Sequence, residues 1–272
     1  MSKPLKIFFV QMTSGPEVDV NLAWVEQEIA LAASSGAALV VLPEMFAQFG
    51  GADPRLLAAQ ERRFEGPVGS VIRTLAQHFG LWIVAGTVPV MTDTDSRPRA
   101  RCHVINDQGE LVRHYDKIHL FDAVVGDQQG VYKESDSYSP GSAVITLDSP
   151  WGILGLAVCY DLRFPELFRQ LNEAGAELVL VPSAFTYKTG QAHWDILCRA
   201  RAIENGYFIA AVNQCGQHDE RRRTWGHSLL VDPWGETQDL GAEPSSQLLT
   251  VDFDRVAAVR QQLPVNLHRR LG

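Results

Sequence analysis

Short, unbroken apolar runs alternate with longer stretches of helical spacing, and this alternation limits the fold more than any other feature of the chain. The segments "LKIFFVQM" (5–12), "ALVVLPEMF" (38–46), "WIVAGTVPV" (82–90), "ILGLAVCYD" (153–161), "AELVLVPSAF" (176–185) and "YFIAAVNQ" (207–214) each read as a strand. A strand buried on both faces is apolar throughout rather than alternating. Between these runs, residues 21–35 set Leu22, Val25 and Ile29 on one helical face, with Asp19 or Asn21 available as a cap. Residues 69–80 read as a helix closed by Gly80, and 165–175, 192–206 and 254–263 read as further helices. The runs 100–107 and 111–118 flank "QG" and predict a hairpin, and residues 91–99 predict a polar turn. "HSLLVDPWGE" and "QLLTVDF" predict a closing β pair near the C-terminus. No linker or low-complexity segment interrupts the pattern, so one α/β domain over residues 1–272, with packed sheets covered by helices, is expected. "LPEMF" and "VPSAF", each ending a strand–helix–strand stretch, suggest an internal pseudo-repeat.

Charge and cysteine usage narrow the partners. Lys and Arg number 24 against 32 Asp and Glu, a net charge of −8. That leaves no basic excess for neutralising phosphates, so neither nucleic acid nor an anionic membrane is an expected partner. The apolar part of the first twelve residues is too short for a secretion signal, and no run approaches a membrane span. Cys102, Cys159, Cys198 and Cys215 form no C-x-x-C pair, which argues against a zinc ribbon, a redox dithiol or a disulfide framework. A cytoplasmic protein with free thiols is expected.

Cys159 carries the chemical question. A buried cysteine is ordinarily a small core hydrophobe. Here an apolar strand runs into Cys159, then a polar turn, then Pro165 and a helix. That order resembles a nucleophile elbow, which displays a side chain at a sharp strand-to-helix turn and aims backbone N–H groups at a developing oxyanion. A nearby helix N-terminus would favour the thiolate. A nucleophile needs a base. His119, His193 and His227 are the best placed histidines in sequence, and none can be paired with Cys159 from spacing alone. Glu44 ends an apolar strand, where a carboxylate is either an exposed strand end or a group held for function. Lys117 lies between apolar neighbours in "YDKIHLFD" and reads as a surface lysine with a packed stem, or as a buried cation. Glu134 falls in a polar loop where solvation is the default.

The ordered segments "LPEMF", "YDKIHLFD" and "CYDLRFPEL" resemble the three signature segments of the nitrilase superfamily of carbon–nitrogen hydrolases, and the resemblance covers essentially the whole chain. It implies a four-layer αββα sandwich whose units commonly pair, so a homodimer or larger homo-oligomer is expected. It implies a Glu–Lys–Cys triad with Glu44 as general base, Lys117 as oxyanion stabiliser and Cys159 as nucleophile. Glu134 matches a second glutamate near them, although "FDAVVGDQQGVYKE" departs from the usual run before it. A lysine beside the site lowers a thiol pKa and stabilises the tetrahedral intermediate, and the N–H of Tyr160 is the natural second donor. Attack on an amide gives a thioester, which water then resolves. This chemistry calls for no metal and no organic cofactor.

The segments 181–204 and 215–236 look like the branch of the family that includes amidases of deaminated glutathione, with the omega-amidases as its sister. The implied substrate is a small amide of the 2-oxoglutaramate type, whose carboxylates need a cation. Arg163 is the leading candidate, with pairing to Glu166 or capping of its own helix as the alternative. Phe185 and Thr186 match a pocket-lining segment, and one of Arg221, Arg222 and Arg223 is a second candidate for a peptide carboxylate. "TWGHS" departs slightly from the "SYGHS" of close relatives. Two other readings stay open: an omega-amidase or other short-chain amidase, and a binding or scaffold protein that keeps the fold without turnover.

Overall fold

The computed structural model describes residues 4–51, 53–93 and 95–271. Residues 1–3 of the N-terminal stretch, and Thr94 within the turn at 91–99, lie outside them. The first half of the chain runs β1 (Leu5–Gln11), α1 (Val18–Ser34), β2 (Leu39–Leu42), α2 (Pro54–Gln60), α3 (Pro67–Phe79), β3 (Trp82–Val90), β4 (Arg99–Ile105), β5 (Leu111–Asp116) and a ribbon of β6 (Asp122–Val124) and β7 (Val131–Lys133). The second half runs β8 (Thr146–Asp148), β9 (Ile153–Leu156), α4 (Pro165–Glu173), β10 (Leu178–Ser183), α5 (Tyr187–Asn205) and β11 (Phe208–Asn213). It continues through a ribbon of β12 (Cys215–Gln217) and β13 (Arg223–Trp225), then β14 (Leu229–Val231), β15 (Thr237–Asp239), β16 (Ser245–Val251), α6 (Asp254–Gln262) and α7 (Val265–His268).

Side chains alternate between the two faces of a strand, and β1 is apolar on both. Leu5, Ile7 and Phe9 enter a core shared with Leu154, Leu156, Leu178 and Leu180 of the second sheet. Phe8 and Val10 face the other way, onto Leu22, Val25 and Ile29 of α1 and Val68 and Ile72 of α3. Helices α4 and α5 cover the second sheet through Leu167, Phe168, Leu171, Trp194 and Cys198. The layers are helix, sheet, sheet, helix, the αββα sandwich.

The sheets have strand orders β16-β1-β2-β3-β4-β5 and β15-β14-β11-β10-β9-β8. Each centres on three parallel strands, β1–β3 in one and β9–β11 in the other. Each is flanked by antiparallel neighbours, β16 and β4 or β8 and β14. The echo between "LPEMF" and "VPSAF" is thereby an echo of topology, since β2 and β10 hold the same place in their sheets.

Four local expectations are corrected. The closing β pair does not form: β14 pairs with β11 and β15, whereas β16 crosses to the first sheet and lies antiparallel to β1 from Leu5↔Val251 to Gln11↔Ser245. The strand expected over 153–161 ends at Leu156, because the chain turns at Cys159 into a single 3-10 turn, Cys159–Arg163, before α4 begins at Pro165. Neither Asp19 nor Asn21 caps α1; Glu17 occupies that position without a side-chain bond, and buried Asn21 ties Gly15 to Ala47. Helix α5 starts at Tyr187, five residues before the expected start, with Thr186 as its N-terminal boundary.

Candidate active site

The residues singled out for chemistry leave their strands at the same kind of place. Glu44 lies two residues beyond β2, Lys117 one beyond β5 and Cys159 three beyond β9. Strand β5 is antiparallel to β4, which is antiparallel to β3, so β5 runs with β2 and β3. Parallel strands end side by side, which is why loops at their carboxyl ends gather function in sheets of this kind. Glu44, Lys117, Glu134 and Cys159 border one cavity of about 360 Å³.

Lys117 is the centre of a buried ion cluster. Its Nζ donates to Glu44 Oε1 at 2.8 Å and to Glu134 Oε1 and Oε2 at 3.0 and 2.8 Å. Lys117 and Glu44 are each 2% exposed. Glu134 is held in turn by the Phe121 N–H, 2.6 Å from Oε2. Burial by itself would lower the lysine pKa, but the charges of Glu134 and Glu44 outweigh it and hold the ammonium well above its ordinary value.

Cys159 has φ 47° and Met45, next to Glu44, has φ 58°. Non-glycine residues in this left-handed region are uncommon, and such strain gathers at functional positions where surrounding bonds hold it. The Met45 turn is held by its N–H donating to Thr87 Oγ1 at 2.9 Å. Opposite it, Gly86 is obligatory: a Cβ there would meet the Pro43 carbonyl oxygen at 1.7 Å.

The resting thiol differs from expectation. Burial and the charge of Glu44 push the Cys159 pKa well above its ordinary value, and the opposing pull of Lys117 and the Ala184 backbone N–H does not overcome them. Burial and the neighbouring Glu44 charge therefore favour the thiol over a standing thiolate.

Two further side chains tie these loops together. Asp161, fully buried, accepts from Tyr115 OH at 2.7 Å and Val158 N–H at 2.8 Å through Oδ2, and from His119 N–H at 3.1 Å and Nδ1 at 2.7 Å through Oδ1. It joins the Lys117 segment to the Cys159 turn. Gln214, at the end of β11, donates to the Glu44 carbonyl at 3.0 Å and to Ser14 Oγ at 2.7 Å, joining the Glu44 loop to the second sheet. Neither was singled out from sequence. The carboxylate two places after the cysteine in "CYD" was the available signal for Asp161; nothing local marked Gln214.

The remaining candidates divide. Tyr160 is the second residue of the 3-10 turn, where leading N–H groups have no partner within the helix. Arg163 pairs neither with Glu166 nor with its own helix end; its guanidinium contacts His193 Nδ1 at 3.3 Å and lies over the rings of Phe185 and Tyr160 at 5.4 and 5.8 Å. It borders a side pocket of about 20 Å³ with Phe185, Thr186 and Cys159, not the main cavity. Thr186 borders both spaces. Arg222 and Arg223 border the main cavity, and Arg221 does not. His119, His193 and His227 are bound to Asp161, Arg163 and Asp239.

A buried Glu–Lys–Glu cluster beside a cysteine on a strained turn, at the meeting of two matched sheets, defines a hydrolase site of the acyl-transfer kind. Residues 7–261 match the carbon–nitrogen hydrolase family, and the chain belongs to it. It is 40% identical over 272 residues to a deaminated glutathione amidase of Yersinia enterocolitica, covering 98% of this chain and 94% of that one. The crystal structure of Saccharomyces cerevisiae Nit3, a member of branch 10 of the nitrilase superfamily, superposes with a TM-score of 0.88 at 28% identity, covering 100% of this chain and 98% of that one. The C. elegans NitFhit protein superposes with a TM-score of 0.91 at 33% identity, covering 99% of this chain and 66% of that longer one.

Proposed function

We infer that this carbon–nitrogen hydrolase is an amidase acting on deaminated glutathione through a cysteine thioester, releasing 2-oxoglutarate and cysteinylglycine, a metabolite-repair reaction. The observation that carries the chemistry is the Lys117 ammonium held between Glu44 and Glu134 in the cavity that Cys159 borders. Similarity to an amidase bearing that substrate's name supports the choice of amide.

In the proposed cycle, Glu44 takes the Cys159 proton as sulfur attacks the amide carbon. The carbonyl oxygen becomes an oxyanion facing Lys117 Nζ and the Tyr160 N–H. Each such donor is worth about 10²–10³ in rate. Glu44 returns the proton to the departing amine, then accepts one from the water that opens the thioester and passes it to the departing Cys159 sulfur. Glu134 holds Lys117 in place and in charge throughout. Arg163, with Phe185 and Thr186 beside it, is the proposed contact for the 2-oxo acid carboxylate, which exchanges for the weak His193 contact. The whole chain is taken to act as one domain, in the cytoplasm, as a homodimer or larger assembly. Four buried free cysteines support the compartment, and exposed Ile196 and Ile203 on α5 and Leu267 on α7 support the assembly.

The test is product formation from deaminated glutathione and from 2-oxoglutaramate side by side, with Cys159→Ala as control. The peptide amide is expected to win by orders of magnitude in kcat/KM, and Cys159→Ala to be folded and inactive. Preference for 2-oxoglutaramate would make the protein an omega-amidase. Turnover of neither, or near-normal turnover by Cys159→Ala, defeats the reading.

A further inference from the structure

We propose that Arg222 and Arg223 form a second anion subsite, which binds the carboxylate of a short peptide on the amine side of the scissile amide and so selects peptide amides over free primary amides. The proposal rests on the amidase reading above and names what that site recognises beyond the acyl group.

The cavity has two chemically different parts. Glu44, Lys117, Glu134 and Cys159 make one, in which the Lys117 ammonium already donates to both carboxylates. Arg222 and Arg223 supply positive charge to the same space. Neither is strongly neutralised. Among the described residues, the ion-pair partner of Arg222 is Asp219, whose Oδ2 is 3.8 Å from Nε, and Arg223 has no carboxylate partner; its guanidinium lies 3.9 Å over the Tyr187 ring. The phenol of Tyr138, another wall residue, is acted on by Glu134, Glu44, Lys117 and Arg222 together, so the charge of Arg222 reaches the same part of the cavity.

The subsite is fixed relative to the nucleophile by backbone rather than by a free loop. Ala184, which borders both spaces together with Cys159, is followed by Phe185 and Thr186. The Phe185 carbonyl accepts from Trp225 N–H at 3.0 Å, and Thr186 forms a β-bridge with Thr224. Arg223 is the next residue back along β13, which is paired with β12. The tip is closed by His218 N–H donating to the Arg222 carbonyl at 2.9 Å and by Asp219 Oδ1 accepting from the N–H groups of Arg221 and Arg222.

The nucleophile stands where the two spaces meet. Phe121, Cys159, Ala184 and Thr186 border both the main cavity and the side pocket that holds Arg163. A substrate attacked at Cys159 therefore has cations at two separate ends. A linear molecule with a carboxylate on each side of its scissile amide fits that layout. Two extended residues on the amine side reach about 7 Å beyond the carbonyl carbon. Ammonia as a leaving group uses none of this space.

The test compares Arg222→Gln, Arg223→Gln and the double variant with the parent enzyme on deaminated glutathione and on 2-oxoglutaramate. For the double variant, the ratio of kcat/KM for the peptide amide to that for 2-oxoglutaramate is expected to fall about 10- to 100-fold, carried by KM, as for loss of charge-assisted hydrogen bonds. Replacing the C-terminal carboxylate of the substrate by a carboxamide should cost the parent enzyme a similar factor and the double variant little more, the signature of a coupled pair. Equal losses on both amides, or a parent enzyme indifferent to the carboxamide, would overturn the subsite. If the parent enzyme does not hydrolyse the peptide amide, the amidase reading fails by itself. The subsite is then judged by calorimetric binding to Cys159→Ala, where cysteinylglycine must bind more tightly than its C-terminal amide and lose that advantage in the double arginine background; equal affinities reject it.

Discussion

Asp161→Asn is nearly isosteric, and the structure says why it is nonetheless disruptive. Each carboxylate oxygen accepts one backbone N–H, Val158 on Oδ2 and His119 on Oδ1, and one side-chain donor. An asparagine keeps one oxygen and presents an NH2 in place of the other. The Tyr115 hydroxyl can rotate to accept, and His119 can change tautomer. A backbone N–H can do neither, so in either amide orientation one of the two is left facing a donor. An unmet buried donor costs about 1–3 kcal/mol, and the bonds that survive lose their charge assistance. The expected destabilisation is about 2–4 kcal/mol, read as a lower midpoint in urea with an unchanged slope. The two N–H groups precede Cys159 and follow Lys117, so the relaxed segment moves a reacting group. A displacement near 1 Å costs about 10²-fold in kcat. A variant within 0.5 kcal/mol of the parent, with kcat/KM unchanged, would show that Asp161 does not hold the two loops in register.

Three further outcomes follow from geometry already described. Lys117→Met should lower kcat by at least about 10²-fold with a smaller change in KM; an effect confined to KM would remove Lys117 from the oxyanion. Gly86→Ala should destabilise the fold by about 3 kcal/mol or more, since the obstacle is the Pro43 backbone rather than a movable side chain, and near-normal melting would contradict the close approach. His218 is buried, and burial lowers its pKa to about 4 although Ser14 O at 2.8 Å opposes the shift. The unfolded chain therefore binds more protons between pH 6.5 and 4, so His218 should make stability fall with falling pH across that window by on the order of 3 kcal/mol. His218→Gln should remove that share of the slope, and an unchanged pH profile would refute the burial argument.

The layers were legible because they are written locally, and the resemblance of three ordered segments marked the residues that the fold brings to one cavity. Unbroken apolar runs mark strands covered on both faces, and Glu44 and Cys159 follow such runs by two and three residues, whereas Lys117 follows the largely exposed β5 and was picked out by its place in "YDKIHLFD". What was misread depends on partners far along the chain. Hydrophobic pattern places β16 as a strand but carries no record of β1 across 244 residues, as in the Lys6–Thr250 pair, so proximity in sequence suggested the wrong neighbour. Asp161 was visible as a carboxylate, but its importance lies with Tyr115 and His119, more than forty residues away. The thiol pKa was expected from one favourable charge; the opposing effect is burial, which only the closed sandwich creates. Arg163 was favoured by its nearness to Cys159 in the chain, yet the larger space opens toward Arg222 and Arg223, brought there by the β12–β13 ribbon.

The two matched sheets have a consequence for folding order. Glu44 and Lys117 belong to the first and Cys159 to the second, and Gln214 ties the Glu44 loop across the divide. Apart from β16, which crosses from the second half to β1, each half can pair its own strands while Cys159 is still apart from Glu44 and Lys117. Turnover therefore reports the docking of the halves and nothing earlier. In a refolding experiment, recovery of secondary structure should precede recovery of activity, and a chain stalled with its halves apart should carry an ordinary cysteine, unable to acylate itself on passing amides.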